Sequence, residues 1–519
     1  MRDFYIIALS LSTFSFSSAA RTGHETVKTE NGFITGHRSP KASAVWEYLG
    51  IPYAEPPLGN LRFAAPQKYK AKGSYNATSF QTNEISGCPQ GVAVQPDFPG
   101  FTPQARDILS AFTSGSGTQR SEDCLTLNIW SRPTAKAVKS DKPVFVLFHG
   151  GRFAGGATET PFANGQYLAD AEDIVVVSVN YRLNVFGFPS APGADTNLGL
   201  RDQRLAVEWL QRNVASFGGS PKKLTIAGQS SGGVAVDWWS KAYKNDPIVH
   251  GLISTSGNAF SFPLNAPQKQ KDNWFTLSAA LGCGSTGDTM GCMRKLPWQN
   301  ISAAVSKVAP SSGGSPVRST PPFYPMVDNK TVFSDYLSLA ESGSFARLPY
   351  FHGHNDNEQG YYVIPAFAQG RNVTAAQGSQ LLMESFVCPH SYEARQRYKA
   401  KVPTWVYRYF GDWDNTRLYP TSGAYHGTEL HMILGGSQDA SKLPATEAQN
   451  KTSRLFQRAV AAFAEDPKNG LSKIGWPQFN PNTESWIEIG VDNQATVTFA
   501  KPEKYDETCD TVVMGALAV

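Results

Sequence analysis

The stretch "LTIAGQSSGG", Leu224 to Gly233, sets one serine between two glycines, each two positions away, at the end of an apolar run. A lone G-x-S-x-G is weak evidence, because glycine and serine are common in this chain. A mechanical cause also produces it. A nucleophile carried on a sharp strand-to-helix turn crowds the positions two before and two after it, so those residues must lack a Cβ. Gly228 and Gly232 meet that requirement around Ser230. What surrounds the stretch decides between the two origins.

Upstream, "PVFVLFHGG" and "DIVVVSVNY" are continuous apolar runs of strand length, the pattern of strands buried on both faces. "LGLRDQRLAVEWLQRNVASFGG" follows, with Leu198, Leu205, Trp209 and Leu210 at helical spacing and Gly218 at its end. "KLTIAG" then gives a strand, Ser230 a turn and "GGVAVDWWSKAY" a helix. Strands alternating with helices predict an α/β fold, a mostly parallel central sheet covered by helices on both faces. Ser230 is thereby placed at the carboxyl end of a strand, opening a helix.

No internal repeat or composition break marks a domain linker, so residues 21–519 are read as one large domain. Hydrophobic residues make up 41% of the chain and charged residues 17%, enough for an ample core. A net charge of +4 without a dense Lys/Arg run gives no support to nucleic-acid binding. The stretches from Gln90 to Gly117 and from Ala309 to Pro322, rich in Pro, Gly and Ser, are expected to be long loops of the kind that wall sites.

Residues 1–20, "MRDFYIIALSLSTFSFSSAA", have an early Arg, a short apolar middle and small residues before Arg21. They read as a secretory signal peptide; the apolar run is too short to span a bilayer. Six cysteines (Cys88, Cys124, Cys283, Cys292, Cys388 and Cys509) with no C-x-x-C pair suit disulfides better than a metal site, though fifteen pairings are open. Sequons at Asn76, Asn300, Asn329, Asn372 and Asn450 are candidate glycosylation sites on an exported chain.

A serine hydroxyl needs a base to take its proton, a carboxylate to hold that base and N–H donors for the oxyanion. "FHGGRFAGG" directly follows an apolar strand, "GHNDNEQG" lies downstream of Ser230, and "GAYHGTELH" comes later still. These are the parts of an α/β-hydrolase in the order donor loop, serine, acid, histidine. The residues alone leave Asp356 beside Glu358 as the acid, and His390 and His431 beside His426 as the base. His426 is flanked by glycines as in an exposed functional loop, whereas His390, next to Cys388 and Pro389, and His431, facing an apolar run, look structural.

From about Thr26 onward the chain resembles the type-B carboxylesterase/lipase family, the α/β-hydrolase group that includes the cholinesterases. The resemblance rests on "YLGIPYAEPPLGNLRF", "SEDCLTLNIW", "VNYRLNVFGF", "TNLGLRDQRLAVEWLQRNVASFGG" and "WVYRYF". It implies Ser230 as nucleophile, Glu358 as acid and His426 as base, with the backbone N–H groups of Gly151, Arg152 and Ser231 as oxyanion donors. It also implies ion pairs Arg62–Glu122 and Arg182–Asp202 and disulfides Cys88–Cys124 and Cys283–Cys292, which leaves Cys388 with Cys509.

The chain departs from the family pattern at four places. Arg152 stands where most relatives have a third glycine, and Ser231 where most have alanine after the nucleophile. Gln229 replaces the common glutamate before it, and the segment from Cys88 to Cys124 lacks the tryptophan on which cholinesterases bind quaternary ammonium. Choline esters are therefore not the expected substrates. An Arg152 side chain leaning over the cleft would narrow its alcohol side and favour polar or acidic acyl groups. The expectation is a secreted serine carboxylesterase, without metal or cofactor, acting on a small-molecule or lipid-like ester. Its alternatives are a lipase with the Cys88–Cys124 loop as lid, helped by the amphipathic "ARDILSAF" (Ala105 to Phe112), and a non-catalytic adhesion ectodomain of the same fold.

Overall fold

Alternation along two apolar strands shows how the sheet is covered. In Lys142–Phe148, Val144, Val146 and Phe148 join one buried cluster while Phe145 and Leu147 join another. In Val175–Val179, Val175, Val177 and Val179 join the first cluster and Val176 the second. Successive side chains of a strand point to opposite faces, so these clusters are the two faces of one sheet. The first is covered by the helices Leu198–Asn213 and Ser231–Ala242, the second by Gln166–Glu172 and Glu447–Glu465.

The computed structural model describes residues 24–80, 87–91, 96–113, 119–133, 141–310, 317 and 319–515. The expected signal peptide, residues 1–20, lies outside them. The described strands are β1 (His24–Thr29), β2 (Gly32–Arg38), β3 (Trp46–Pro52), β4 (Gly73–Asn76), β5 (Thr126–Ser131), β6 (Lys142–Phe148) and β7 (Val175–Val179), followed by β8 (Gly219–Gln229), β9 (Gly251–Thr255), β10 (Tyr350–Asn355), β11 (Thr404–Tyr409), β12 (Trp486–Ile489) and β13 (Val497–Ala500). They pair in the order β1-β2-β3-β5-β7-β6-β8-β9-β10-β11-β12-β13, with β4 beside β2. The run from β7 to β12 is parallel; β1, β2, β3 and β5 on one flank and β13 on the other pair antiparallel. This is the mostly parallel, open α/β sheet expected, with antiparallel margins that the apolar runs had not disclosed.

Disulfides join Cys88 to Cys124, Cys283 to Cys292 and Cys388 to Cys509. The buried Arg62 Nε donates to Glu122 Oε1 at 2.6 Å, and Arg62 Nη1 reaches the carbonyls of Met293, Arg294 and Leu296, just past the second disulfide. Arg182 makes a two-armed contact with the fully buried Asp202 at 2.8 and 2.9 Å. "ARDILSAF" forms the helix Ala105–Phe112, so the stretch read as a loop from Gln90 contains an ordered helix of about two turns, packed through Ile108 and Leu109. All five sequon asparagines are exposed. Among the described residues, no helix is long and apolar enough to cross a membrane.

Candidate active site

Parallel strands of an open α/β sheet point their carboxyl ends to one edge, where crevices form. Ser230 follows β8, Glu358 lies three residues past β10, and His426 lies beyond β11, ahead of the helix Thr428–Ile433. Three distant segments thus deliver their polar side chains to the same edge.

The turn at Ser230 explains both glycines. Ser230 sits at φ 57°, ψ −124°, outside the regions open to ordinary residues. A Cβ at Gly228 would meet the Gly232 carbonyl carbon and oxygen at 2.2 Å, and one at Gly232 would meet the Phe148 carbonyl oxygen at 2.1 Å. The Ser230 N–H donates to the Thr255 carbonyl at 2.8 Å, which fastens the turn to the end of β9. Gly228 and Gly232 are spacing requirements of this turn, and the chance origin is excluded.

His426 donates from Nδ1 to Glu358 Oε2 at 2.6 Å, and the other carboxylate oxygen accepts the Asn355 N–H at 2.7 Å. Glu358 is fully buried. With its proton on Nδ1, the imidazole keeps Nε2 as an acceptor; the Tyr362 hydroxyl and the Gln229 amide each approach Nε2 at 3.3 Å. Among the described residues no hydrogen bond joins Ser230 Oγ to Nε2, although Ser230 and His426 line the same cleft. Hydrogen bonds of this kind are often loose without substrate.

The competing residues are occupied elsewhere. Asp356 is 41% exposed at its side chain and pairs with Arg408 at 2.9 Å. His390 Nδ1 faces His352 Nδ1 at 2.7 Å, and burial lowers its pKa to about 3. His431 contacts Ser437 at 2.8 Å and Thr428 at 3.2 Å and is likewise lowered to about 3 by burial.

Several contributors carried no clear signal in the sequence. Glu429, three residues past His426 and fully buried, accepts from Ser256 Oγ at 2.8 Å and from the Asn355 amide. Burial, reinforced by the charge of Glu358, raises its pKa to about 6. His149, lowered to about 4 by burial, donates from Nδ1 to the Gly150 carbonyl and stacks on Tyr181. Phe112 packs beside His426 and Tyr361. The "YHGTELH" spacing puts Glu429 in the same loop-to-helix turn as His426, but nothing local reveals that its partners are Asn355 and Ser256.

Gly151, Arg152 and Phe153 all have positive φ (104°, 60° and 54°), so the loop after β6 curls around its own backbone. Gln90 grips both backbone groups of one residue: Nε2 donates to the Gly156 carbonyl and Oε1 accepts the Gly156 N–H, each at 2.8 Å. Ser231 Oγ accepts the Phe153 N–H at 3.3 Å, a contact that alanine could not make. Ser230 opens on a cleft of about 390 Å³, lined by Gly151, Arg152, Tyr362 and His426 among others. It also opens on a small cavity of about 20 Å³, lined by Arg152, Ser231, Val317, Ser319, Tyr324 and Tyr362. Burial pushes the Tyr324 phenol up and the charge of Arg152 opposes that shift, both residues lining this cavity. Arg152 Nη2 donates to Ser319 Oγ at 3.2 Å.

The mostly parallel open sheet is that of an α/β-hydrolase, and a serine, a histidine and a carboxylate are gathered at its edge. The chain belongs to the carboxylesterase family, whose model matches residues 23–381 and 376–508. It is 32% identical over 506 residues to secreted lipase 5 of Gibberella zeae, covering 93% of each chain. It is 33% identical over 474 residues to chlorogenic acid esterase of Aspergillus niger, covering 89% of this chain and 87% of that one. To cholinesterase of Mus musculus it is 32% identical over 468 residues, covering 87% of this chain and 71% of the other. It is a carboxylic-ester hydrolase, which removes the adhesion alternative.

Proposed function

We propose that the protein is a secreted serine carboxylesterase working through an acyl-enzyme. The carrying observation is the 2.6 Å bond from His426 Nδ1 to a buried carboxylate, which keeps Nε2 as an acceptor beside a serine held at a strained turn. Ser230 Oγ attacks the ester carbonyl while His426 takes its proton, then passes that proton to the departing alcohol; water repeats the sequence and releases the acid. Glu358 holds the tautomer and stabilises the imidazolium. The N–H groups of Gly151, Arg152 and Ser231 receive the oxyanion, and since backbone donors are independent of their side chains, Arg152 and Ser231 serve as glycine and alanine would.

Secretion is supported by residues 1–20, by three disulfides and by the name of the Gibberella relative. Export would leave Arg21 as the first residue, with glycans on the exposed sequons. A lipase remains the second reading, because the helix Ala105–Phe112 brings Phe112 against His426 and one relative is named a lipase.

A fluorophosphonate should label Ser230 in the intact protein and leave Ser230→Ala unlabelled; labelling elsewhere would overturn the assignment. Rates on esters of increasing acyl length, soluble and emulsified, separate esterase from lipase. Activity confined to emulsified long-chain esters favours the second reading.

A further inference from the structure

Ester hydrolysis at Ser230 gives the side chain of Arg152 no task, yet it occupies an expensive position. At φ 60° a glycine would be unstrained, while an arginine is held in a conformation that L side chains avoid. Its guanidinium has five donors, and one neutral oxygen, Ser319 Oγ, accepts from it. Among the described residues no carboxylate pairs with it. Among the described residues lining the cleft and the small cavity there is no Asp, Glu or Lys, and Arg152 lines both. A permanent cation facing a lining without counter-charge is complemented by an anion that the ligand brings, and a planar guanidinium suits a carboxylate best.

The geometry also separates the two halves of an ester. The base returns its proton to the leaving alcohol, so the alcohol lies beside His426. His426 lines the large cleft and not the small cavity, which leaves the small cavity to the acyl chain. That cavity is small, about 20 Å³, and Arg152, Ser319, Tyr324 and Tyr362 stand around it.

We propose that the preferred substrates are half-esters of short dicarboxylic acids, whose free carboxylate on the acyl side is bound by Arg152. This rests on the serine-esterase reading above and narrows it to one class of acyl group. The carboxylate takes the open guanidinium donors, and the acyl chain between carboxylate and ester carbonyl is limited to a few carbons by the cavity.

The test compares kcat/KM for ethyl hydrogen succinate with that for ethyl 4-methylpentanoate, in which an isopropyl group replaces the carboxylate at equal size. Wild-type enzyme should prefer the succinate. In Arg152→Met that preference should fall by roughly ten- to a hundredfold, the worth of hydrogen bonds to a charged group. Using the ratio within one variant cancels any general change in turnover. Acetoxyacetate, with its carboxylate on the alcohol side, should show no Arg152-dependent preference. A wild-type ratio at or below one, a ratio unchanged by Arg152→Met, or an Arg152 effect confined to acetoxyacetate each overturns the proposal while leaving the esterase intact. Should the variant not fold, a wild-type succinate preference that collapses with added salt supports it, and one indifferent to salt counts against it. Failure to hydrolyse any of the three esters would sink the esterase reading itself.

Discussion

Replacing Glu358 by glutamine exchanges one oxygen for an NH2 group and should nearly abolish turnover. The carboxylate has two acceptor oxygens in use: Oε2 takes the His426 Nδ1–H at 2.6 Å and Oε1 the Asn355 N–H at 2.7 Å. An amide offers a single acceptor, so one orientation must lose. If its oxygen faces His426, its NH2 group meets the buried Asn355 N–H, leaving a donor unsatisfied at about 1–3 kcal/mol. If its oxygen faces Asn355, the NH2 group donates to Nδ1 and moves the imidazole proton to Nε2. The second orientation keeps the buried Asn355 N–H bonded and is therefore favoured, but the histidine can then no longer accept the serine proton. Loss of the negative charge further destabilises the imidazolium. By analogy with the corresponding acid-to-amide change in serine proteases, kcat should fall about 10³–10⁴-fold, or about 4–5 kcal/mol of transition-state stabilisation.

Asp356→Asn is the matched control. Its carboxylate is partly exposed and paired with Arg408, an arrangement worth at most about 1 kcal/mol. It should change kcat by less than about fivefold on the same scale. Steady-state kinetics on a short-chain p-nitrophenyl ester, with far-UV circular dichroism to verify folding, read both. Glu358→Gln within tenfold of wild type, or Asp356→Asn as damaging as Glu358→Gln, would refute the reasoning.

Gly228→Ala should destabilise the protein by at least about 2 kcal/mol and remove activity, because the new Cβ meets backbone at 2.2 Å; an unchanged denaturant midpoint would contradict the described turn. The double variant Cys88→Ser, Cys124→Ser should lose kcat/KM and shift its acyl preference at temperatures where circular dichroism is unchanged, because Gln90 of that loop grips Gly156; its loop closure is worth roughly 3–4 kcal/mol in the chain-entropy picture. Identical specificity before and after would detach the loop from the site. Acid should destabilise the fold: burial lowers His149 to about 4 and His390 and His431 to about 3, so the unfolded chain takes up protons that the native one excludes. That stability is complete above about pH 6.5 and drains away as pH falls toward those values, by about 2 kcal/mol per histidine between pH 6.5 and 5. Glu429, raised to about 6, works in the opposite sense as a single group. Unfolding midpoints that do not move between pH 7 and 5 would contradict this.

The strands β6, β7 and β8 and the helix after Ser230 were legible because apolar strands buried on both faces leave unbroken runs, and because a crowded turn demands glycine at fixed offsets. The choice between Asp356 and Glu358 was not legible from the residues. Both follow β10 within three positions, and the path of the turn sends one to Arg408 at the surface and the other inward to His426. Likewise nothing local in the helix Ser231–Ala242 announces that Asp237 and Lys241 are fully buried. Their partners, Glu393 and Arg397, lie about 150 residues away on the helix Cys388–Lys399. Pairings at such separations arise from topology, which periodicity does not encode.

Two departures from the family pattern, visible in the sequence, act together only when placed in space. Gln229 stands in place of a glutamate and Arg152 in place of a glycine, and both line the cleft that Ser230 opens on. One substitution removes a negative charge and the other adds a positive one, so both move the potential at the serine in the same direction. In a partly water-excluded cleft that potential acts at an effective dielectric nearer 20 than 80, where unit charges about 4 Å apart interact by about 4 kcal/mol before desolvation is counted. The buried Gln229 keeps a hydrogen-bonding role toward His426 at 3.3 Å without charge, while a positive charge stands at the wall by Ser319. A site so lined repels the cationic esters that the family's glutamate and tryptophan serve. On the reading proposed above it attracts an anion before chemistry begins, and increases the tetrahedral oxyanion's stability as that charge forms. In the proposed mechanism discrimination and catalysis are then carried by the same residue, Arg152, through its side chain and its backbone N–H respectively.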